Sequence, residues 1–302
     1  MNMKHVDLLV VGGGAAGMAA ALAAKEAKSI LLIEREEELG GVLNQCLHEG
    51  FGLRYFGRSL TGTEYAEEFR RRVENSDVTV KTGTTVLRID PDRTALLSGA
   101  EGFERVGFSR CILSTGCRER PLGAIDAAGT RPAGILTAGT AQRLVNRGGY
   151  EVGERIVILG SGDIGQIMAR HFAQLGKEVV AMVELRSELG GLARNRKNCI
   201  EAYHIPVILS ATVERVHGTG RIKGVTIVHV DTGEREYISC DTLVTALGLI
   251  PEREPVSALC RDGAYPDWLT LCGNCEHVHE IVDSVTAQAE AAGAAYGRED
   301  FL

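Results

Sequence analysis

The chain has 302 residues, 44% hydrophobic and 24% charged, which suits about two domains with cores of their own and excludes a disordered or fibrous chain. A formal net charge of −7 advertises no basic face for a phosphate backbone, so no nucleic-acid partner is expected. The apolar stretch "AAGMAAALAA" is too short and too rich in small residues to span a bilayer, and no leader precedes the first strand, so a cytoplasmic location without a membrane span is expected. The eight cysteines, at 46, 111, 117, 199, 240, 260, 272 and 275, then read as thiols or as a redox or metal feature rather than a disulfide framework.

In chain order, a β-branched and Leu-rich run leads into Gly12-x-Gly14-x-x-Gly17, an Ala-rich helical stretch and a second apolar run ending at Glu34. In such a βαβ unit the first glycine makes the tight turn and the second lets a diphosphate approach the backbone. The third lets helix and strand pack closely, and the acid about twenty residues on accepts from ribose hydroxyls. The phrase "EREEELGG" follows at 34–41, then a helix over 61–75 whose Arg70–Arg72 run, one turn after acids, reads as a solvated face. Short strands "VTVKTG", "TTVLRID" and "TALLSG" precede "RCILSTG".

The pattern then repeats. "RIVILGSGDIGQIMARHFAQLGKEVVAMVE" carries Gly160-x-Gly162-x-x-Gly165, an acid at Glu184 and the second copy of the phrase, "ELRSELGG". "IPVILS", "ATVERVHGTG" and "GVTIVHVDTG" lead into "DTLVTALG". Each half reads as a βαβ unit, an antiparallel meander and a buried returning strand, hence a complete nucleotide-binding domain. The expected fold class is α/β, with two Rossmann-like three-layer dinucleotide-binding domains.

With these motifs the sequence resembles the pyridine nucleotide-disulfide oxidoreductases, two-dinucleotide-binding-domain flavoproteins, over nearly its whole length. The resemblance implies an FAD domain at 1–120 and 248–302, an inserted NAD(P)H domain at 121–247, and no C-terminal dimerisation domain. It places FAD on Gly12, Gly14, Ala15, Ala16 and Gly17, on Glu34 and Arg35 at the strand end, and on Gly41, Val42 and Gln45 after the first phrase. Val86, the crossing residues Ser114, Thr115 and Gly116, and Gly273 and Asn274 in "LTLCGNC" complete that site; Asn274 stands where the family usually has an acid. NAD(H) is placed on Gly160, Gly162, Asp163, Ile164 and Gly165, on Glu184, and on Gly248. A final helix, 279–296, would point its N-terminus at the flavin pyrimidine ring, although its apolar positions also suit ordinary core contacts.

The compact length resembles the thioredoxin-reductase branch, but the inserted domain carries only the distant Cys199 and Cys240, so thioredoxin reduction is not expected. "GGVLNQCLHEGFGLRYFG", with Cys46 alone, resembles the short flavoprotein subunits that accompany glycerol-3-phosphate or amino-acid dehydrogenases. That implies an electron acceptor which is a small molecule, a protein or a partner flavoprotein dehydrogenase, and either a homo- or a hetero-oligomer. Cys46 is open to two readings, a redox thiolate with His48 as proton donor in a peroxide or small-disulfide reductase, or a packed thiol lining the flavin pocket. Cys272 and Cys275 are open to three, unpaired thiols, a redox pair or a metal site, and no metal is expected. Glu184 favours the free ribose of NADH over NADPH, with Arg186, Arg194 and Arg196 able to offset it. An FAD-holding subunit without independent turnover is the remaining alternative.

Overall fold

The computed structural model describes residues 3–296, and the chain divides into two compact units, Met1–Arg118 with Ile250–Leu302 and Glu119–Leu249. The expected edges at 120/121 and 247/248 compare with 118/119 and 249/250, and residues 1–2 and 297–302 of the expected first domain lie outside the described residues.

In the first unit, β1 (Lys4–Val11), α1 (Ala15–Ala23) and β2 (Ile30–Ile33) form the expected βαβ unit. β1 lies between β2 and the strand Gly102–Leu113, parallel to both. Its Leu8, Leu9 and Val10 are fully buried, as a parallel strand covered on both faces requires. One face packs under α1 and α2 (Gly62–Glu74), the other under the segment that carries Val256, Leu259, Tyr265 and Trp268. α2 starts where the sequence supplies a capping box, Thr61 and Glu64 each satisfying the other's backbone, and buries Tyr65, Ala66, Phe69 and Val73 at helical spacing.

The second unit has three layers. A five-stranded parallel sheet runs in the order Ile135–Thr137, Thr242–Thr245, Arg155–Leu159, Glu178–Val183, Val207–Ile208. Helices α3 (Ala138–Asn146) and α4 (Asp163–Gln174) cover one face. A four-stranded sheet of Ala128–Gly129, Ala211–Gly218, Ile222–His229 and Arg235–Ser239 covers the other. The short α5 (Ala193–Asn195) runs directly into a π-helical turn, Arg196–Glu201, that packs on α4. The chain then returns to the first unit, which it closes with α6 (Val282–Ala294).

Three expectations change. Thr79–Lys81 and Val207–Ile208 pair in parallel with the preceding strand of their βαβ units rather than joining the meanders, because each extends a buried parallel sheet by one edge. The first meander does not return to a separate strand: the 12-residue Gly102–Leu113 pairs antiparallel with Thr94–Gly99 along its first half and parallel with β1 along its second. The final helix is shorter than 279–296, since Ile281 is its extended N-cap and Ala295 its C-cap. Among the described residues no helix is long and apolar enough to cross a membrane.

Candidate functional site

Each unit carries one site, and the two are built alike to the level of single backbone bonds. Gly12 donates its N–H to Ile33 O at 2.8 Å, and Gly160 donates to Val183 O at 2.8 Å. Glu34 N reaches Lys81 O and Glu184 N reaches Ile208 O, both at 2.9 Å. A Cβ on Gly12 would meet Ser114 O at 2.5 Å, and one on Gly160 would collide with Ala246 O. A Cβ on Gly17 would collide with the carbonyl oxygen of Gly12, and one on Gly165 would meet that of Gly160 at 2.5 Å. The first and third glycines of each turn are therefore required by packing.

The second glycines differ. No atom lies within 4 Å of the Cβ position of Gly14 or of Gly162. Each is the N-cap of its helix, and neither helix has a side-chain cap, so the first-turn N–H donors of α1 and α4 have no partner of that kind. An open cradle at an uncapped helix start matches a diphosphate, which needs close backbone approach and converging N–H donors. Ala15, Ala16 and Ile164 extend the two turns. Asp163 commits its carboxylate oxygen to Leu192 N at 2.8 Å and Asn195 Nδ2 at 2.7 Å.

The twin phrases have a structural use. Glu34 is 6% exposed and accepts from Gly13 N at 2.7 Å and Glu36 N at 2.8 Å, so it stitches the glycine turn to its own strand end. Gly40 N then bonds Gly13 O at 2.8 Å, and a Cβ on Gly41 would lie 3.2 Å from Gly14 Cα. In the second unit Ser161 replaces that direct contact with its side chain: Oγ donates to Glu184 at 2.5 Å and accepts from Gly190 N at 2.8 Å. Burial pushes the Glu184 carboxyl up, but the Ser161 hydroxyl, the N–H groups of Arg186 and Ser161 and the Arg186 guanidinium outweigh it and hold the group below the usual carboxylate range. "ELGG" is thus the loop that closes on each glycine turn.

Arg70 revises the sequence reading of the Arg70–Arg72 run. Its side chain is 21% exposed, and Nη1 donates to Leu39 O at 2.9 Å and Asn44 Oδ1 at 3.0 Å, clamping the loop from α2. Arg71 and Arg72 are exposed as the solvated reading expects: Arg71 pairs with Glu67, and Arg72 lies over the rings of Phe69, Phe56 and Tyr55 at 5.1, 5.2 and 5.8 Å. The spacing of helical charges carries no signal for a clamp on a loop thirty residues upstream.

Of the other expected FAD residues, Ser114, Thr115 and Gly273 lie against the first turn. Ser114 is buried and its hydroxyl donates to Val11 O and Gly12 O at 2.9 Å, so it holds the strand end. Thr115 Oγ1 donates to Glu252 O at 2.5 Å, and Gly116 at φ +75 faces open space. Gly273 packs on Ala16, where a Cβ would meet that methyl at 2.8 Å. Asn274 turns its Oδ1 to His279 N at 3.0 Å, and its Nδ2 points at Cys117 Sγ at 3.7 Å. Gln45 and Val86 are buried, whereas Arg35 and Val42 are exposed, the latter by 66%. Gly248, at the end of the second unit, faces open space at φ +96.

Cys46 does not have the surroundings of a redox thiolate. It is buried, its Sγ donates to Val42 O at 3.3 Å, and burial pushes its thiol up to about 12. His48 is half-buried and lies tilted against Phe51 with ring centroids 5.0 Å apart. Cys272 and Cys275 are free, fully buried thiols, raised by burial, and Cys275 Sγ donates to Leu113 O at 3.0 Å. Cys272 belongs to the core under α1 and α2, and Cys275 to the core on the other face of the sheet. Among the described residues no group of three or more His, Cys, Asp or Glu side chains could hold a metal ion.

The family profile described as pyridine nucleotide-disulphide oxidoreductase matches residues 6–265. Sarcosine oxidase subunit alpha of Rhizobium meliloti (strain 1021) is 28% identical over 168 residues, 56% of this chain and 15% of the relative. Thioredoxin reductase of Treponema pallidum (strain Nichols) is 24% identical over 198 residues, covering 65% of this chain and 61% of the relative. The chain thus spans less than two thirds of the length of either relative. Among solved structures, thioredoxin reductase of T. acidophilum superimposes with a TM-score of 0.77 at 21% identity, covering 97% of this chain and 98% of that one.

Proposed function

Because the chain belongs to the pyridine nucleotide-disulphide oxidoreductase family, whose members are FAD-binding, NAD(P)H-dependent oxidoreductases, we propose that it oxidises NADH through FAD and delivers the electrons to a separate acceptor. FAD occupies the first unit, on the turn Gly12–Gly17, and NADH the second, on Gly160–Gly165. The carrying observation is the pair of cradles left open at Gly14 and Gly162 in turns otherwise closed by packing. The flavin supplies the chemistry, accepting a hydride and releasing electrons onward. The chain's own residues bind and orient: first-turn amides of α1 and α4 hold the diphosphates, and ribose hydroxyls are received by Glu34, which has lone pairs to spare, and by Glu184 in exchange for its long 3.4 Å contact with Arg186 Nε.

NADH is preferred over NADPH because an extra phosphate at the ribose would meet the Glu184 carboxylate, held ionised by its donors. Arg186, the nearest cation, is already paired with that carboxylate at 3.4 Å. Glu184→Gln keeps the size of the side chain but removes the charge. It should raise KM for NADH about tenfold and narrow the preference over NADPH, with kcat little changed. Steady-state kinetics with both nucleotides check this; an unchanged preference would mean the ribose sits elsewhere.

The acceptor is a small molecule, a protein or a partner dehydrogenase. The last is supported by the likeness to a subunit of sarcosine oxidase, and thioredoxin is disfavoured because Cys199 and Cys240 are both buried and lie on different elements. Cys46 serves packing against Gly62, where a Cβ would approach it to 2.5 Å. Cys46→Ser should therefore retain NADH oxidation within about twofold, and a loss of a hundredfold or more would restore the peroxide or disulfide reading. A visible spectrum of the purified protein, before and after anaerobic NADH, tests the whole proposal. Flavin bands that bleach on addition are expected, and a protein that holds no flavin overturns it. Flavin that NADH leaves oxidised favours the FAD-holding subunit.

A further inference from the structure

The two glycine turns meet different side chains on the helices that follow them. Four residues past the second glycine the first unit has Met18, fully buried in its apolar core, and the second has Gln166, fully buried as well. Gln166 Nε2 donates to Ser161 O in the turn at 2.8 Å and to Gly190 O in the second "ELGG" loop at 2.7 Å. Carbonyl oxygens only accept, so the N–H₂ group is the end that faces them. Its Oε1 is left buried without a partner, a cost that an apolar side chain of the same length would not carry.

Folding of a βαβ unit does not demand this arrangement. α1 has no polar side chain to offer, and there Gly40 N bonds Gly13 O directly while Gly41 lies against Gly14. In the second unit the same closure runs through side chains. Gly190 N bonds Ser161 Oγ, Gly190 O and Ser161 O share the Gln166 amide, and Leu192 N bonds Asp163. A Cβ on Gly191 would meet Asp163 Oδ1 at 2.7 Å and Gln166 Nε2 at 3.0 Å. An arginine holds the leucine carbonyl in both loops, Arg70 on Leu39 O at 2.9 Å and Arg196 on Leu189 O at 3.1 Å, so the arginine does not distinguish the units and the Gln166 amide does.

The amide reaches the nucleotide site through one more contact. Ser161 Oγ accepts from Gly190 N and donates to Glu184, the carboxylate placed at the ribose. Holding Gly190 against Ser161 fixes that hydroxyl, and the hydroxyl fixes the carboxylate. On the reading that NADH occupies this unit, we propose that Gln166 is a positioning residue for the dinucleotide: its amide fastens the loop to the turn, so that Ser161 presents Glu184 to the ribose in one orientation. Preorganisation of this kind is felt in binding and not in hydride transfer.

Gln166→Met, which gives the second unit the side chain of the first, tests this. Equilibrium binding of NAD⁺ to the flavin-loaded protein should weaken about tenfold, and KM for NADH should rise by a similar factor with kcat and flavin content unchanged. Amide hydrogen exchange over 188–192 should quicken by about tenfold or more. Ser161→Gly combined with Gln166→Met restores the first unit's own pair, letting Gly190 N bond the turn carbonyl directly. It should recover slow exchange and bring NAD⁺ affinity to within about threefold of wild type. Wild-type NAD⁺ affinity in Gln166→Met overturns the inference, and so does a loss that the double variant keeps after slow exchange has returned. If Gln166→Met does not fold, the double variant decides alone, with an affinity tenfold below wild type overturning the inference. Unchanged constants in these variants fail only this inference, whereas a wild-type protein that binds no NAD⁺ fails the functional reading on which it rests.

Discussion

Gly162→Val will leave a yellow protein that NADH no longer bleaches, and Gly14→Val will give a colourless protein that still folds. Both positions have extended backbone, φ −61 at Gly162 and −75 at Gly14, which any residue can adopt. Neither would push its new side chain into the protein, because nothing lies within 4 Å of either Cβ position. The valine instead occupies the volume through which a diphosphate must reach the helix amides. Losing those charge-assisted contacts should weaken binding at least a hundredfold, about 3 kcal/mol. The two variants separate the sites: one removes flavin absorption, the other removes reduction by NADH while absorption stays. If Gly162→Val were still reduced at the wild-type rate, NADH would not be using the second unit. Circular dichroism of both variants should match the wild type.

Gly17→Ala should do the opposite, destabilising the first unit whether or not cofactor is present. A Cβ there would overlap the Gly12 carbonyl oxygen and fall 2.8 Å from Ser114 Oγ and 2.9 Å from the Gly12 carbonyl carbon. Both neighbours are anchored, Gly12 by its bond to Ile33 and Ser114 by bonds to Val11 and Gly12, so the clash falls on backbone that cannot yield. Overpacking of this kind costs about 3 kcal/mol, on the order of 10 °C in Tm for a unit of this size. Thermal melting followed by circular dichroism and by flavin release reads it directly. The contrast is diagnostic: one methyl group at Gly17 should cost stability, while three extra carbons at Gly14 should cost only the ligand. A Gly17→Ala protein melting with the wild type would mean that α1 and β1 do not pack as closely as described.

The duplicated nucleotide unit was legible in the sequence because its determinants are local. A turn, a close approach and a helix start are set by three glycines within six residues, and the acid that follows is one βαβ unit away. The α/β character follows from that spacing, whereas the family and the cofactor class rest on the resemblance that the repeated unit, "ILSTG" and "LTLCGNC" carry together. Even the repeated "ELGG" was visible, although its use was not. What the phrase does, closing on the turn through Gly40 in one unit and through the Ser161 hydroxyl in the other, required the fold that brings residues 13 and 40, and 161 and 190, together.

The remainder was decided by contacts between residues far apart in sequence. Whether Cys46 is reactive depends on burial by Gly62 and α2, which a lone cysteine in a loop does not reveal. Whether Thr79–Lys81 joins a meander or a parallel edge depends on which neighbour is free to pair, since the same short apolar run satisfies either. Arg70 looked like one of three equivalent surface charges until α2 was laid against the loop it clamps. Glycine spacing constrains the backbone wherever it occurs, so sequence alone reports it; burial and pairing are properties of what surrounds a residue, and only the assembled chain supplies the surroundings.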